Sequence, residues 1–398
     1  MTGEPAIGLV VNPVAGLGGA AGLKGSDGAA AQRAALALGA VPRAGERAAR
    51  AVRALLSRRP GARLVTVPGP MGEDAVHAAG GTCAVIHPPA PPRPAPGLAE
   101  ADGPMGARLV AGTTAQDTRR AVVALAGVDL LLFAGGDGTA RDVLDALREL
   151  GGQAPPVLGV PAGVKVYSGC FAVSPATAGL VAAAFRPGRT GEAEVVDLDE
   201  DGYRRGLVGP RLYGTVRVPE ARAAFSGRKT GSSGTPPATV EAVAREVVSR
   251  MRPGVRYVLG PGATTRAVGR EHGVATTLLG VDVVEDGRLI AADVPEAALF
   301  DLVRPGKTVV VLSVIGGQGF VLGRGNQQIS PRVLRAARAP LLVLATQRKL
   351  AALRGRPLLA DSGDEDLDRR LSGHVQVITG HRESTIYRLR AASEEYDG

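Results

Sequence analysis

The sequence predicts an α/β domain with a parallel sheet over residues 1–190, followed by a mostly β domain over residues 191–398. Helical and strand patterns alternate in the first part, which is typical of a parallel sheet covered by helices. After about residue 190 the segments become short, β-branched and separated by glycine, which favours strands. A chain of 398 residues is long enough for two domains with their own cores.

The first part begins with an apolar strand, Ile7–Val11, that ends at the turn signal Asn12-Pro13 and continues as a glycine-rich loop to Gly28. Residues 87–105 are rich in proline, which predicts an extended surface loop. The other elements predicted here are helices at 29–38, 46–56, 117–125 and 140–150 and strands at 63–67, 82–86, 129–134 and 156–160.

The second part contains a glycine- and serine-rich stretch, residues 226–237, that predicts a flexible loop. Its β-branched segments predict strands at 194–199, 212–218, 255–259, 277–284, 308–315, 341–345, 375–379 and 385–389.

Composition and charge narrow the classes of function. The chain has 47 basic and 38 acidic residues, a net charge of +9, and a basic surface suits polyanions such as nucleotides, polyphosphate or anionic lipid. It has no basic run with interleaved aromatic residues and no zinc-finger spacing, so we expect no nucleic-acid partner. No apolar run reaches the about 18 residues of a membrane helix, and no signal-peptide pattern is present. We therefore expect a cytoplasmic protein without a membrane partner.

The sharpest local feature is a Gly-Gly-Asp-Gly-Thr turn between an apolar strand and an amphipathic helix. Gly135, Gly136 and Gly138 would allow backbone N–H groups to approach a phosphate, and the start of the following helix favours anions. Thr139 can cap this helix or contact a phosphate. Asp137 is then an acceptor among phosphate-binding amides, which suits a general base toward a hydroxyl or an organiser of Mg²⁺.

Other charged residues are expected near the same sheet edge. Lys24 could bind a phosphate while Asp27 provides a carboxylate on the side of the metal ion. Alternatively, both residues could lie in a solvent-exposed turn. Lys165 follows a strand and a Pro-Ala-Gly turn, where it would neutralise a phosphate or lie along the surface. Arg324 and Asn326 lie in a glycine-rich loop that permits close approach of a ligand or forms a hairpin. The five histidines have no metal-ligand spacing, so we assign no protein ligands to a metal.

Several motifs together resemble those of the ATP–NAD kinase superfamily, which includes diacylglycerol and sphingosine kinases. They are similar to the branch of predicted polyphosphate- or ATP-dependent NAD kinases near the AcoX-type proteins. Besides the Gly-Gly-Asp-Gly-Thr turn, the stretches that carry the resemblance are VNPVAGLGG at 11–19, GLKGSDG at 22–28, PAGVKVY at 161–167, GGQGF at 316–320 and GRGNQQIS at 323–330.

The resemblance implies an NAD kinase/diacylglycerol kinase-like α/β domain followed by a β-sandwich, with the active site between them. It implies phosphorylation of the adenosine-ribose 2′-hydroxyl of NAD to give NADP, with ATP or polyphosphate as donor and Mg²⁺ or another divalent cation. Asp137 would accept the hydroxyl proton or position the donor, and Asn12 would lie near the donor phosphates. The resemblance also favours ligand binding by Arg324 and Asn326, and a homo-oligomer.

The NAD-binding Gly-Ser-Thr-Ala-Tyr stretch of the family has its nearest counterpart after the strand predicted at 255–259. Gly262, Thr264 and Thr265 are therefore expected to bind the substrate. Ala263 and Arg266 stand where the family has serine and tyrosine, and the Asn-Glu pair of the family is absent.

Two other functions remain open at this stage. A kinase of the same fold could act on the hydroxyl of a lipid or a small metabolite, although the chain shows no basic amphipathic helix suited to a membrane surface. Alternatively, the protein could bind nucleotides without catalysis and act as a regulator, which the absent Asn-Glu pair allows.

Overall fold

The computed structural model describes residues 4–17, 36–37, 40–89, 113–162, 166–198, 210–220, 237–338 and 340–394. Most of the predicted helix 29–38, most of the proline-rich segment 87–105 and nearly all of the loop predicted at 226–237 lie outside the described residues.

The first part contains a parallel sheet of five strands within the described residues, in the order β3-β2-β1-β4-β5. Its strands are β1 (Ala6–Val11), β2 (Arg63–Thr66), β3 (Ala84–Val85), β4 (Leu130–Gly135) and β5 (Val157–Pro161). Its helices are α1 (Ala44–Arg58), α2 (Glu73–Ala78), α3 (Ala115–Ala124), α4 (Asp137–Leu150) and α5 (Pro175–Ala184). The predicted α/β fold with a parallel sheet is thus confirmed.

Helices cover both faces of this sheet, so its central strands are buried on both sides and read as continuous apolar runs. Leu130 and Leu132 of β4 face a cluster with α1 and α5, whereas Leu131 and Phe133 face α3 and α4. Gly179 of α5 allows this helix to approach α1 closely, because a Cβ there would lie 2.0 Å from the Ala51 carbonyl oxygen.

An antiparallel ribbon follows, formed by β6 (Thr190–Leu198) and β7 (Pro210–Pro219). Val195 and Val216 of this ribbon are buried in the same cluster as Phe133 and Phe171. The ribbon therefore packs on the first sheet, while the division of the chain near residue 190 stays a prediction.

The second part is a large, mostly stranded sheet domain, as predicted. Its described strands form one mixed sheet of nine in the order β10-β9-β8-β11-β13-β15-β16-β14-β12. They are β8 (Arg256–Leu259), β9 (Asp282–Glu285), β10 (Arg288–Ala291), β11 (Thr308–Ser313), β12 (Phe320–Leu322), β13 (Leu341–Leu344), β14 (Leu358–Ala360), β15 (Gly373–Gly380) and β16 (Glu383–Ala391). The strands β8, β11, β13 and β15 run parallel, so their carboxyl ends share one edge.

Several helices also cover this sheet, and most of them are not apparent from the sequence pattern. They are α6 (Pro237–Arg250), α7 (Ala263–Glu271), α8 (Glu296–Leu302), α9 (Pro331–Ala337), α10 (Gln347–Ala351) and α11 (Glu365–Leu371). The strand predicted at 277–284 is shorter in the structure and comprises only Asp282–Glu285. Thr277 lies in a turn before it, where its N–H and its hydroxyl donate to the Asp282 carboxylate.

The two parts meet along a region that we call the seam, which comprises Arg47, Val173, Phe320, Arg324 and Asp361. Val173 and Phe320 share a buried apolar cluster, and Nη1 of Arg47 lies 2.8 Å from Oδ2 of Asp361. The seam thus combines apolar packing with an ion pair between α1 and the segment after β14. None of the helices in the described part of the chain has the length and apolar character needed to span a membrane.

Candidate active site

The Gly-Gly-Asp-Gly-Thr turn lies at the carboxyl edge of the first sheet, where ligands bind in open α/β sheets. Gly135 ends β4 and Asp137 is the first residue of α4. A Cβ on Gly135 would lie 2.3 Å from Oγ1 of Thr139, so glycine leaves the room that Thr139 occupies. Asn12, which follows β1, donates from Nδ2 to Oγ1 of Thr139 at 3.0 Å. The turn therefore joins the carboxyl ends of two neighbouring strands.

The start of α4 presents backbone donors to this edge. Gly136 precedes the helix in an extended conformation and provides no side-chain cap. Gly136 and Gly138 are both partly exposed. Because the first N–H groups of a helix have no partner within it, this end of α4 can bind an anion.

Asp137 faces the loop 166–168, which comes after β5. Its Oδ2 accepts a hydrogen bond from the backbone N–H of Tyr167 at 2.8 Å. Its Oδ1 accepts from the backbone N–H of Ser168 at 2.9 Å and from the Ser168 hydroxyl at 2.6 Å. The Ser168 hydroxyl oxygen in turn accepts from the backbone N–H of Val196 at 3.0 Å, so the β6–β7 ribbon also supports the carboxylate.

These surroundings change the acidity of Asp137. Burial raises the pKa of Asp137 to about 6, although the hydrogen bonds from Ser168 and Tyr167 and the charge of Arg141 act in the opposite direction. A carboxyl group with this pKa is largely ionised at neutral pH, and it is a stronger base than an ordinary aspartate. Such a group suits proton abstraction from a hydroxyl.

Two side chains from the second part reach the same region. Gln318, in the turn between β11 and β12, donates from Nε2 to the carbonyl oxygen of Val166 at 2.8 Å. Arg324, after β12, donates from Nη2 to the carbonyl oxygen of Val173 at 2.8 Å. Its guanidinium carbon lies 4.6 Å from the centroid of the Phe320 ring. The site is therefore built from both parts of the chain.

Arg324 places a buried positive charge beside this site, and its surroundings compensate that charge only in part. Only 3% of the surface of Arg324 is exposed to solvent, and its Nε has no hydrogen-bond partner among the described residues. Within the described ranges it forms no ion pair. Burial lowers the pKa of Arg324 to about 10, although the charges of Asp361 and Asp137 act to raise it. The guanidinium stays protonated at neutral pH and interacts with Asp137 over a longer distance than a direct contact.

Asn326 shapes the loop that carries Arg324. Its Oδ1 accepts from the backbone N–H of Gly323 at 2.9 Å, and its Nδ2 donates to the carbonyl oxygen of Val321 at 2.8 Å. A Cβ on Gly323 would lie 1.7 Å from the carbonyl oxygen of Asp361, so this loop requires glycine there. The Asn326 amide thus contacts its own loop.

Gly262, Thr264 and Thr265 lie at the carboxyl edge of the second sheet, at the start of α7. Thr265 donates its hydroxyl to the carbonyl oxygen of Gly262 at 2.9 Å. The ammonium group of Lys349 donates to Oγ1 of Thr264 at 3.1 Å and to Oγ of Ser313 at 2.7 Å. Lys349 therefore brings a cation to the loops that follow β8, β11 and β13.

The remaining predicted residues, Lys24, Asp27 and Lys165, lie outside the described residues. In the part of the chain that the structure covers, no three His, Cys, Asp or Glu side chains come together as a metal site.

Comparison with known families agrees with this architecture. The N-terminal domain model of the ATP-NAD kinases matches residues 7–189, and the C-terminal domain model matches residues 252–389. Together the two matches cover about four fifths of the chain. The chain belongs to the ATP-NAD kinase family. No curated protein and no solved structure gives a significant match.

Membership in this family supports the activity of an NAD kinase-type phosphotransferase. Enzymes of this class generally use a phosphate donor and a divalent cation. Three residues near the candidate active site of this ATP-NAD kinase family member were not predicted from the sequence: Ser168, Gln318 and Lys349. Ser168 directly follows the PAGVKVY stretch and Gln318 lies within GGQGF, so the motifs that carry the resemblance could have indicated both. No sequence signal indicates Lys349.

Proposed function

We propose that this family member phosphorylates the adenosine-ribose 2′-hydroxyl of NAD, which gives NADP, with ATP or polyphosphate as the phosphate donor. The observation that carries the proposal is the position of Asp137, a carboxylate with a raised pKa at the carboxyl edge of a parallel sheet and at the start of α4. Phosphoryl transfer to a hydroxyl needs a base beside phosphate-binding groups, and this turn provides both.

In this mechanism Asp137 accepts the proton of the 2′-hydroxyl. The ribose oxygen forms a bond to the terminal phosphorus of the donor, and the bond between that phosphorus and the rest of the donor breaks. The pKa of about 6 keeps Asp137 ready to accept a proton at neutral pH.

The negative charge of the transferred group requires compensation. The N–H groups at the start of α4 face this edge, and the guanidinium of Arg324 supplies a positive charge from the second part of the chain. Asn12 lies beside Thr139 at the same edge. As part of this proposal we assign Asn12, Lys24 and Lys165 to the donor phosphates, and Asp27 to the divalent cation that accompanies them.

Mg²⁺ or another divalent cation would accompany the donor. The turn supplies backbone N–H donors, which bind phosphate, and the described residues offer no cluster of carboxylates that would enclose a cation. These residues fit a cation that is held mainly by the phosphate oxygens of the donor. When bound, it would neutralise phosphate charge, while the residues of the chain position the reactants.

The second sheet would bind the dinucleotide. Gly262, Thr264 and Thr265 lie at the start of α7, and Lys349 is held beside them. A glycine-containing turn, hydroxyl groups and an ammonium group suit the pyrophosphate of NAD. Asn326, through its loop, places Arg324 between the two sheets.

The proposal is tested by NADP formation from NAD and Mg²⁺ with either ATP or polyphosphate. We expect Asp137→Asn to lower the turnover by about 1,000-fold, as loss of a general base does. The matched control is Asp142→Asn, which removes the same charge from the same helix at a side chain bonded to Arg119, and it should keep the turnover of the natural protein.

Near-normal NADP formation by Asp137→Asn would refute the assignment. Failure of the unsubstituted protein to form NADP with either donor would instead indicate another hydroxyl acceptor. Tight binding of NAD or ATP without turnover would favour the regulatory alternative.

A further inference from the structure

We propose that Ser168 is a positioning residue that directs the proton of the acceptor hydroxyl to Oδ2 of Asp137; this inference rests on the proposed function. Oδ1 of Asp137 accepts two hydrogen bonds from Ser168, one from its N–H at 2.9 Å and one from its hydroxyl at 2.6 Å. A carboxylate oxygen has two lone pairs, so both sites on Oδ1 are occupied. Among the described residues, Oδ2 accepts one bond, from the Tyr167 N–H at 2.8 Å, which leaves one of its lone pairs for the incoming proton.

The direction of the Ser168 hydroxyl is fixed by its neighbours. The backbone N–H of Val196 can only donate, so the Ser168 oxygen accepts that bond at 3.0 Å. The single hydroxyl proton of Ser168 then points to Oδ1 of Asp137. Ser168 has no exposed surface, so water does not compete for this bond. The hydroxyl therefore holds Asp137 in one rotamer and leaves one defined oxygen for the substrate.

Other charged and titratable groups also act on Asp137, and they come from three elements. Arg141 lies on α4, Cys170 follows the 166–168 loop, and Arg324 lies in the loop after β12. The arginines favour the ionised carboxylate. Burial, followed by the charge of Asp137, raises the pKa of the Cys170 thiol, which stays neutral. After burial, the hydroxyl of Ser168 has the largest effect on the pKa of Asp137, and it lowers that pKa.

The decisive experiment is the pH dependence of kcat/KM for NAD phosphorylation in the unsubstituted protein and in Ser168→Ala. Loss of one hydrogen bond to a charged group should move the acid limb of the profile upward by about one pH unit. The variant should then be about fivefold less active than the natural protein at pH 6, and within about twofold of it at pH 8.5. A purely structural role would lower the rate by the same factor at every pH.

A second variant keeps the test decisive if Ser168→Ala does not fold. Ser168→Cys preserves the approximate volume with a weaker donor, so its acid limb should move in the same direction by less. The matched control is Ser174→Ala, which also removes a buried serine hydroxyl, the one that caps α5 by accepting from the Thr177 N–H at 3.0 Å. It should lower Tm and leave the acid limb unchanged.

The outcomes separate this inference from the proposed function. If Asp137→Asn abolishes NADP formation but both Ser168 variants keep the acid limb of the natural protein, the role of Ser168 is refuted and the proposed function stands. If Asp137→Asn retains turnover, both are refuted. An upward shift in either Ser168 variant, absent in Ser174→Ala, supports the inference.

Discussion

Arg47 and Arg324 are both buried at the seam, and they differ in what surrounds their charge. Arg47 donates from Nη1 to Oδ2 of Asp361 at 2.8 Å and to the carbonyl oxygen of Pro161 at 3.3 Å. Burial acts to lower the pKa of Arg47, but the charge and the hydrogen bond of Asp361 outweigh it and raise the pKa. Arg324 forms no ion pair with any described residue, and burial lowers its pKa.

Under the proposed function, this difference separates an arginine whose charge serves the fold from one whose charge would serve a ligand. A buried charge destabilises the folded state by several kcal/mol unless an opposite charge and hydrogen bonds compensate it. Arg47 has this compensation within the chain. Arg324 has a cation–π contact with Phe320 and one hydrogen bond, which compensate it in part. A phosphate group beside Asp137 would complete its surroundings.

The largest effect on stability should come from Asp361→Asn, which leaves the Arg47 charge buried without its partner. We expect the free energy of unfolding, measured with urea, to fall by about 3 kcal/mol. The matched control is Asp366→Asn, which removes an exposed carboxylate that lies 3.2 Å from Arg369. That control should change the free energy by less than about 0.5 kcal/mol. Equal effects of the two substitutions would show that the Arg47–Asp361 pair contributes no more than a surface pair.

The next effect concerns activity. Arg324→Met should lower kcat/KM for NAD phosphorylation by about 100-fold, because one charge-bearing donor at the transferred phosphate is lost. It should change the free energy of unfolding by no more than about 1 kcal/mol, since methionine fills the apolar space beside Phe320 without a buried charge. Loss of activity without loss of stability is the expected signature of a ligand-binding arginine.

The control for this prediction is the same substitution at the other buried arginine. Arg47→Met should lower the free energy of unfolding by about 3 kcal/mol, because it leaves Asp361 buried and unpaired. If Arg324→Met instead destabilises the protein as much as Arg47→Met does, Arg324 belongs to the fold and the comparison fails.

The sequence was sufficient to predict the position of the turn that carries Asp137, because the strand, the turn and the helix are contiguous along the chain. The strand Leu130–Gly135 is apolar throughout because both of its faces are covered, and a continuous apolar run of this kind predicts a buried strand from the sequence alone. The turn after it places Asp137 at the sheet edge by topology alone. The alternation of strands and helices likewise predicts the parallel sheet of the first part.

The contacts around Asp137 and Arg47 could not be predicted in this way. Asp137 meets Ser168, and Arg47 meets Asp361 more than 300 positions away, through packing that no local pattern encodes. Valines at helical spacing in α6 also contribute to a buried helical face, although β-branched residues favour strands. Local propensity therefore indicates the motif, whereas tertiary packing determines which groups surround it.

The smallest predicted effect concerns Asp368, a second carboxyl group near the Arg47–Asp361 ion pair. It tests whether the charge of Arg47 also stabilises the ionised form of Asp368. Burial raises the pKa of Asp368 to about 6, with a further contribution from the charge of Asp361, although hydrogen bonds from Ser362 and the charge of Arg47 oppose this shift. Since its ordinary value is 3.8, the folded protein is stabilised by the neutral form. That stabilisation is present below about pH 4 and is lost as the pH rises through about 6.

Asp368→Asn removes this titration, so we expect the variant to gain about 2 kcal/mol relative to the natural protein when the pH rises from 4 to 7. Urea unfolding at both pH values measures the gain. Asp366→Asn, on the same helix α11 but exposed, should show no such gain. If Asp368→Asn shows the same difference from the natural protein at both pH values, Asp368 ionises without cost. Arg47 would then be stabilised by two ionised carboxylates, Asp361 and Asp368, whereas Arg324 forms an ion pair with no described residue.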